Sequence, residues 1–153
     1  MSDLRSRLER GPKLIRATEA NFSRLESETA STKETYTKAR VASDDKQLQL
    51  KYREDRIADL QLKLNSANTN KEYQALKEQI AADEQANSVL GDEILEALVK
   101  IDELKEAVSQ AEASAAKAKA EAERRAKRVA LAKKKTKKVK KVEIKRKTKT
   151  KGK

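Results

Sequence analysis

The chain has 153 residues and a mass of 17.2 kDa, with 41% charged residues, 3% aromatic residues and a formal net charge of +12. No Trp, a single Phe (Phe22), three Gly and one Pro leave too little aromatic area for a large core and too few turn residues for a sandwich, a barrel or an α/β enzyme. The absence of Cys and His excludes disulfides, Cys/His zinc sites and the usual catalytic base and thiol, so no enzyme, cofactor, metal ligand or catalytic residue is expected.

No run approaches the ~18 apolar residues of a membrane span. The start, Met1-Ser2-Asp3-Leu4-Arg5, lacks an apolar signal-peptide core. A soluble, cytoplasmic protein without a membrane span is the expectation.

Leu4 and Leu8 stand four residues apart and predict a short amphipathic helix over residues 1–11. Gly11-Pro12 then predicts a boundary, because proline lacks the amide proton of a helix interior but fits a first turn. A kinked continuous helix is the alternative. From Ile15 a seven-residue step runs through Phe22, Thr29, Tyr36, Ser43, Leu50, Ile57 and Leu64. The interleaved set is Thr18, Leu25, Thr32, Ala39, Lys46, Arg53 and Leu60. Side chains at that step share one slowly drifting stripe, which is a coiled-coil seam.

Asn65-Ser66-Ala67-Asn68-Thr69-Asn70 breaks the pattern with short polar side chains that favour turns. Thr69-Asn70-Lys71-Glu72 fits a capping box. A second seam follows: Tyr73, Ile80, Asn87, Ile94, Ile101, Val108, Ala115 and Ala122, interleaved with Leu76, Asp83, Leu90, Ala97, Leu104, Ala111 and Ala118. From Val108 onward it shrinks to alanine, the best helix former but a small contributor of buried area.

Two seams joined by a short loop predict an all-α fold: a long antiparallel coiled-coil hairpin over residues 12–128, turning near 65–70. Arms of ~50 residues are ~75 Å long at ~1.5 Å per residue. Facing residues should have numbers adding to the high 130s, within one layer. Ile57 then meets Ile80, Leu60 and Leu64 meet Tyr73 and Leu76, and Arg53 and Lys46 fall near Asp83 and Asn87. That polar group is either a register device or a splayed, hydrated stretch. Gly91 marks a close approach or a flexible point. Leu48, Leu62, Leu95 and Leu98 lie off the stripe and favour a further partner, either a second copy in a homodimer or the short N-terminal helix folded back. A lone hairpin is the alternative.

The charge is divided. Residues 124–153 hold 17 Lys/Arg and one acid (Glu143), a net of +16, whereas residues 1–123 carry a net of −4. Packed like charges with little apolar content predict a disordered Lys-rich tail over 129–153, with Arg124, Arg125, Lys127 and Arg128 extending the helix by a turn or two. A flexible polycation is a ligand for polyanions. The expected nucleic-acid-binding residues are Arg124, Arg125, Lys127, Arg128, Lys133, Lys134, Lys135, Lys137, Lys138, Lys140, Lys141, Lys145, Arg146, Lys147 and Lys149. The expected mode is non-specific, salt-sensitive contact with an RNA or DNA backbone, since the tail has no aromatic for base stacking. Acidic proteins, anionic lipid and simple solubilisation are the competing readings of the tail.

The run Leu60-Gln61-Leu62-Lys63-Leu64-Asn65, then Thr69-Asn70-Lys71-Glu72-Tyr73-Gln74-Ala75-Leu76-Lys77-Glu78-Gln79-Ile80, resembles the bacterial C4-type zinc-ribbon proteins. In that family a coiled-coil hairpin precedes a small zinc ribbon, and the tip typically reads Asn, Lys or Arg, then Glu-Tyr-Gln-Ala-Leu. The match runs from Asn70 to Leu76, and Asp92-Glu93-Ile94-Leu95-Glu96-Ala97-Leu98 is similar to the family's second helix. The resemblance covers roughly residues 4–125. The family's two Cys pairs are missing and a lysine-rich tail stands in the place of the ribbon, so only the hairpin carries over. The resemblance implies an adaptor linked to transcription or export, with Asn70, Glu72, Tyr73, Gln74 and Leu76 as a partner-docking tip. Read from the residues alone, the same tip simply closes the hairpin.

Two functions follow as expectations. One is a non-enzymatic, nucleic-acid-associated coiled-coil protein. The other is a protein adaptor or chaperone-like hairpin whose tail solubilises it or touches acidic partners.

Overall fold

A computed structural model describes residues 2–152 of the chain. It contains two helices, α1 (Ser2–Asn65, 64 residues) and α2 (Asn70–Thr150, 81 residues), packed together as a helical hairpin, with no strand among the described residues. The fold is all-α, as the two seven-residue patterns require.

The seam is where the spacing puts it. Along α1 the buried or half-buried positions include Gly11, Ile15, Thr18, Phe22, Leu25, Thr29, Thr32, Tyr36, Ala39, Ser43, Lys46, Leu50, Ile57, Leu60 and Leu64. Along α2 the seam set is shielded from Leu76 to Val129. Arg53 and Tyr73 are the two predicted seam positions that stay exposed. The long arginine stem can cross the stripe and keep its charge in water.

Contacts divide the chain into two units, and both helices pass through each. One unit is Ser31–Ser109. It contains the turn and four of the most buried apolar side chains, Leu60, Ile80, Leu90 and Ile94. Ser43 is its most enclosed residue, 2% exposed. Lys46 Nζ lies 3.6 Å from Glu93 Oε2, and Arg56 Nε lies 3.8 Å from Asp83 Oδ2. The expected neighbours of Asp83 and Asn87 were Arg53 and Lys46; Arg56, three residues further on, is the residue that reaches Asp83. Asp83 Oδ2 and Asn87 Oδ1 are buried without a hydrogen-bond partner, so this stretch of seam is polar and loosely satisfied.

The other unit joins the residues up to Ala30 with those from Gln110 onward. Its most buried apolar residue is Ala118, and its seam sets the alanines of α2 (Ala111, Ala115, Ala118, Ala122) opposite a stripe of α1 that carries Ile15, Phe22 and Leu25. Thr29 Oγ1 shares its proton between the Leu25 carbonyl at 2.7 Å and the Ala111 carbonyl of the other helix at 3.2 Å. In both units the paired residue numbers add to 139 or 140, within one layer of the register read from the sequence.

The boundary expected at Gly11-Pro12, and with it a separate helix over 1–11, is corrected: α1 runs unbroken from Ser2 with Pro12 inside it. One proline forfeits one backbone bond and crowds one preceding carbonyl. Pro12 faces solvent, while Gly11 sits half-buried on the seam. A Cβ on Gly11 would meet Val129 Cγ2 at 3.6 Å, an ordinary contact, so the glycine is a seam position opposite α2. Leu4 and Leu8 are exposed, so the turns before the dipeptide are held by the helix backbone and not by burial, while the seam begins at Gly11 and Ile15.

A Cβ built on Gly91 meets nothing within 4 Å, which excludes a close approach there. Gly91→Ala should therefore stabilise the hairpin by up to ~1 kcal/mol through helix propensity alone, read as a higher thermal midpoint. Ser43→Leu should do the reverse, losing about 1–3 kcal/mol through overpacking, while Ser43→Ala stays near neutral.

Candidate nucleic-acid interface

The disorder expected over 129–153 is also corrected: α2 continues to Thr150, and Lys153 lies outside the described residues. Composition alone sees packed charges and no core. Local propensity sees Ala130, Ala132 and a run of Lys and Arg, all good helix formers, with no Gly or Pro before Gly152. Lys147 and Lys149 in the last turn suit the negative end of the helix dipole. Like charges at i,i+4, such as Lys133–Lys137 and Lys137–Lys141, oppose the helix by a few tenths of a kcal/mol each. The threonine hydroxyls turn inward, Thr136 Oγ1 donating to the Ala132 carbonyl at 2.8 Å and Thr150 Oγ1 to the Arg146 carbonyl at 3.1 Å.

Every residue from 131 to 152 is exposed. In the observed register the first described residue of α1 stands opposite residue 138, so no described residue of α1 lies beside 139–150. Eleven of the expected binding residues fall between Lys133 and Lys149, ten of them Lys and one Arg146. That segment is about 25 Å long at ~1.5 Å per residue. At ~100° per residue the eleven bases cover about 260° of the helix circumference. The remaining ~100° carries Ala132, Thr136, Val139, Glu143 and Thr150, which continue the seven-residue seam.

The first four expected residues behave differently. Arg125 is half-buried at a seam position and its Nη2 lies 3.0 Å from Glu121 Oε1. Arg125 and Arg128 line a shallow, mainly apolar groove with Gly11, Leu14, Ile15 and Val129. Arg124, Lys127 and Arg128 are exposed. Arg125 thus takes part in the hairpin packing, whereas among the described residues the bases beyond Val129 are all exposed.

At the other end, the loop joins α1 to α2 between Asn65 and Asn70, as read from the sequence. Ser66 N donates to the Lys63 carbonyl at 3.1 Å and Ala67 N to the Leu64 carbonyl at 3.3 Å. Thr69 Oγ1 accepts from Glu72 N at 3.2 Å, which is the expected N-cap. Leu76 is half-buried; Tyr73 is 39% exposed, with Lys77 Nζ 5.8 Å from its ring centroid. Asn70, Glu72 and Gln74 are exposed. An open groove beside the turn is lined by Lys63, Ser66, Ala67, Glu72, Leu76 and Gln79, among others. Of the expected tip residues Glu72 and Leu76 line this groove, while Asn70, Tyr73 and Gln74 lie outside its lining, and Tyr73 is less enclosed than the hairpin-closing reading requires.

The molecule is an all-α helical hairpin with a basic helical extension. Comparison with known proteins finds no matching family model, no matching curated protein and no matching solved structure. No described helix is long and apolar enough to cross a membrane.

The helical tail has a direct check. Removing residues 131–153 should leave the far-ultraviolet ellipticity per residue unchanged, because helix is removed along with chain. A coil in that segment would make the value rise on truncation.

Proposed function

We propose that the protein is a non-enzymatic, nucleic-acid-associated coiled-coil protein. Its basic C-terminal helix holds an RNA or DNA backbone without sequence preference, and the hairpin offers its tip to a protein partner. The observation that carries the first half is the run of exposed bases beyond Val129. Among the described residues, none of these bases has a carboxylate within ion-pair distance. An unneutralised cationic helix gathers condensed counter-charge, and a polyphosphate releases that counter-charge on binding. Ten of the eleven bases between Lys133 and Lys149 are Lys, a compact point charge that suits phosphate contact more than bidentate base reading.

Deleting residues 124–153 should abolish binding to a labelled oligonucleotide while the hairpin stays helical. For the full chain, contact with ~6–10 phosphates should make affinity fall by ~10³–10⁵ between 50 and 200 mM salt. Equal binding by residues 1–123 would overturn the reading.

The second reading, an adaptor or chaperone-like hairpin whose tail solubilises it, is favoured by the tip groove and by the exposed ring of Tyr73. The tip motif that resembles the zinc-ribbon family belongs to this reading. Tyr73→Asp should then remove a co-purifying protein that survives nuclease and moderate salt, without lowering the thermal midpoint. Loss of every partner on nuclease treatment would count against it.

A further inference from the structure

A polycation can meet nucleic acid as a flexible chain or as a shaped body, and the tail is a shaped body. Resting on the reading above, we propose that its ligand is duplex DNA and that the segment Lys140–Lys149, which no described residue of α1 flanks, lies in the major groove and contacts the phosphates on both walls, with bases of Lys133–Lys138 meeting phosphates at the groove's edge.

The distribution of charge leads there. Bases spread over about 260° of a helix cannot all reach one flat surface; roughly half point away from it. A groove with phosphates on two sides uses most of them. An α-helix with its side chains is ~10–12 Å across, and the B-form major groove is ~12 Å wide. The A-form major groove of duplex RNA is deep and too narrow for such entry. Single strands are gripped chiefly by stacking on aromatic rings, and residues 124–153 contain none. The segment also lacks Asn and Gln and has one Arg, so planar, forked side chains suited to bidentate reading of base edges are scarce and its lysines act mainly as point charges. Groove entry here positions the helix without selecting a sequence.

The salt dependence separates groove from surface. The slope of log K against log salt is about −0.9 per phosphate neutralised on B-form DNA. One-sided contact by five or six bases gives about −5, whereas groove contact by eight to ten gives about −7 to −9.

The test uses the full chain and fluorescence anisotropy with a 30-base-pair DNA duplex, the RNA duplex of the same sequence and the single-stranded DNA, from 50 to 300 mM salt. A Val139→Pro variant keeps every charge and breaks the helix at an exposed position outside the hairpin packing. The expected results are DNA-duplex binding at least ~10-fold tighter than RNA-duplex binding at equal salt, a slope steeper than about −7, and loss of the DNA preference in V139P with single-strand binding unchanged. Equal affinities for the two duplexes, a slope near −5, or a V139P variant that keeps the preference would each overturn groove binding and leave backbone binding standing. No binding to any of the three would remove both.

Discussion

The structure depends on one seven-residue stripe along which large apolar side chains alternate with small ones, so that two helices approach closely where small residues face each other. Thr29 can touch the Ala111 carbonyl at 3.2 Å only because neither layer holds a bulky residue. Ser43, 2% exposed, shows the same constraint in the turn-containing unit. Such contacts bury little area, so the stabilisation comes from many thin layers and from the helix backbones themselves. The most buried large side chains, Leu60, Ile80, Leu90 and Ile94, lie in the unit that contains the turn, while Ile15, Phe22 and Leu25 are the large seam residues α1 supplies to the other. The cross-helix pairs Lys46–Glu93 and Arg56–Asp83 are half-exposed and contribute at most ~1 kcal/mol each. Their effect is on register: a slip of one heptad would set both cations against the wrong neighbours.

Most of this was legible in the sequence because the period of seven is a geometric signal that survives weak composition. Thr18, Thr32 and Ala39 are poor core residues, yet the stripe through Ile15, Phe22 and Leu25 places them on the inside. The turn was legible because Thr69 supplies a hydroxyl three residues before Glu72, and that bond is present. Which cation meets Asp83 was not legible. Arg53 and Arg56 sit less than one turn apart, and a shift of a few units in the paired numbers decides between them.

The two departures, Pro12 and the tail, share a cause. In each case a local rule was weighed against the wrong competitor. Gly11-Pro12 is a strong stop signal in isolation, but the seam reaches Gly11 opposite Val129 and fixes the C-terminal flank, from which the exposed residues before it extend as an already nucleated helix. The tail has nothing to bury, which argues for disorder when folding is equated with core formation. A helix needs no core if its residues favour it and no breaker intervenes, and α2 delivers a long nucleated helix to the start of the basic segment. Continuing an existing helix avoids the unfavourable nucleation step that an isolated lysine-rich peptide faces. The candidate site was therefore legible as a list of charges and illegible as a shape.

That origin makes the shape of the tail sensitive to its surroundings. Repulsion between lysines one turn apart opposes the helix, and it weakens whenever the charges are neutralised. A polyanion that binds the helical form better than the coil shifts the balance toward helix by its differential affinity for the two. Folding of the tail and capture of its ligand are then one linked equilibrium, anchored at Val129 by the packing of α2 against Gly11. The hairpin is more than a support for a sticky end in this arrangement. It is the nucleus from which the cationic helix extends, and it fixes the direction in which that helix leaves the packed seam.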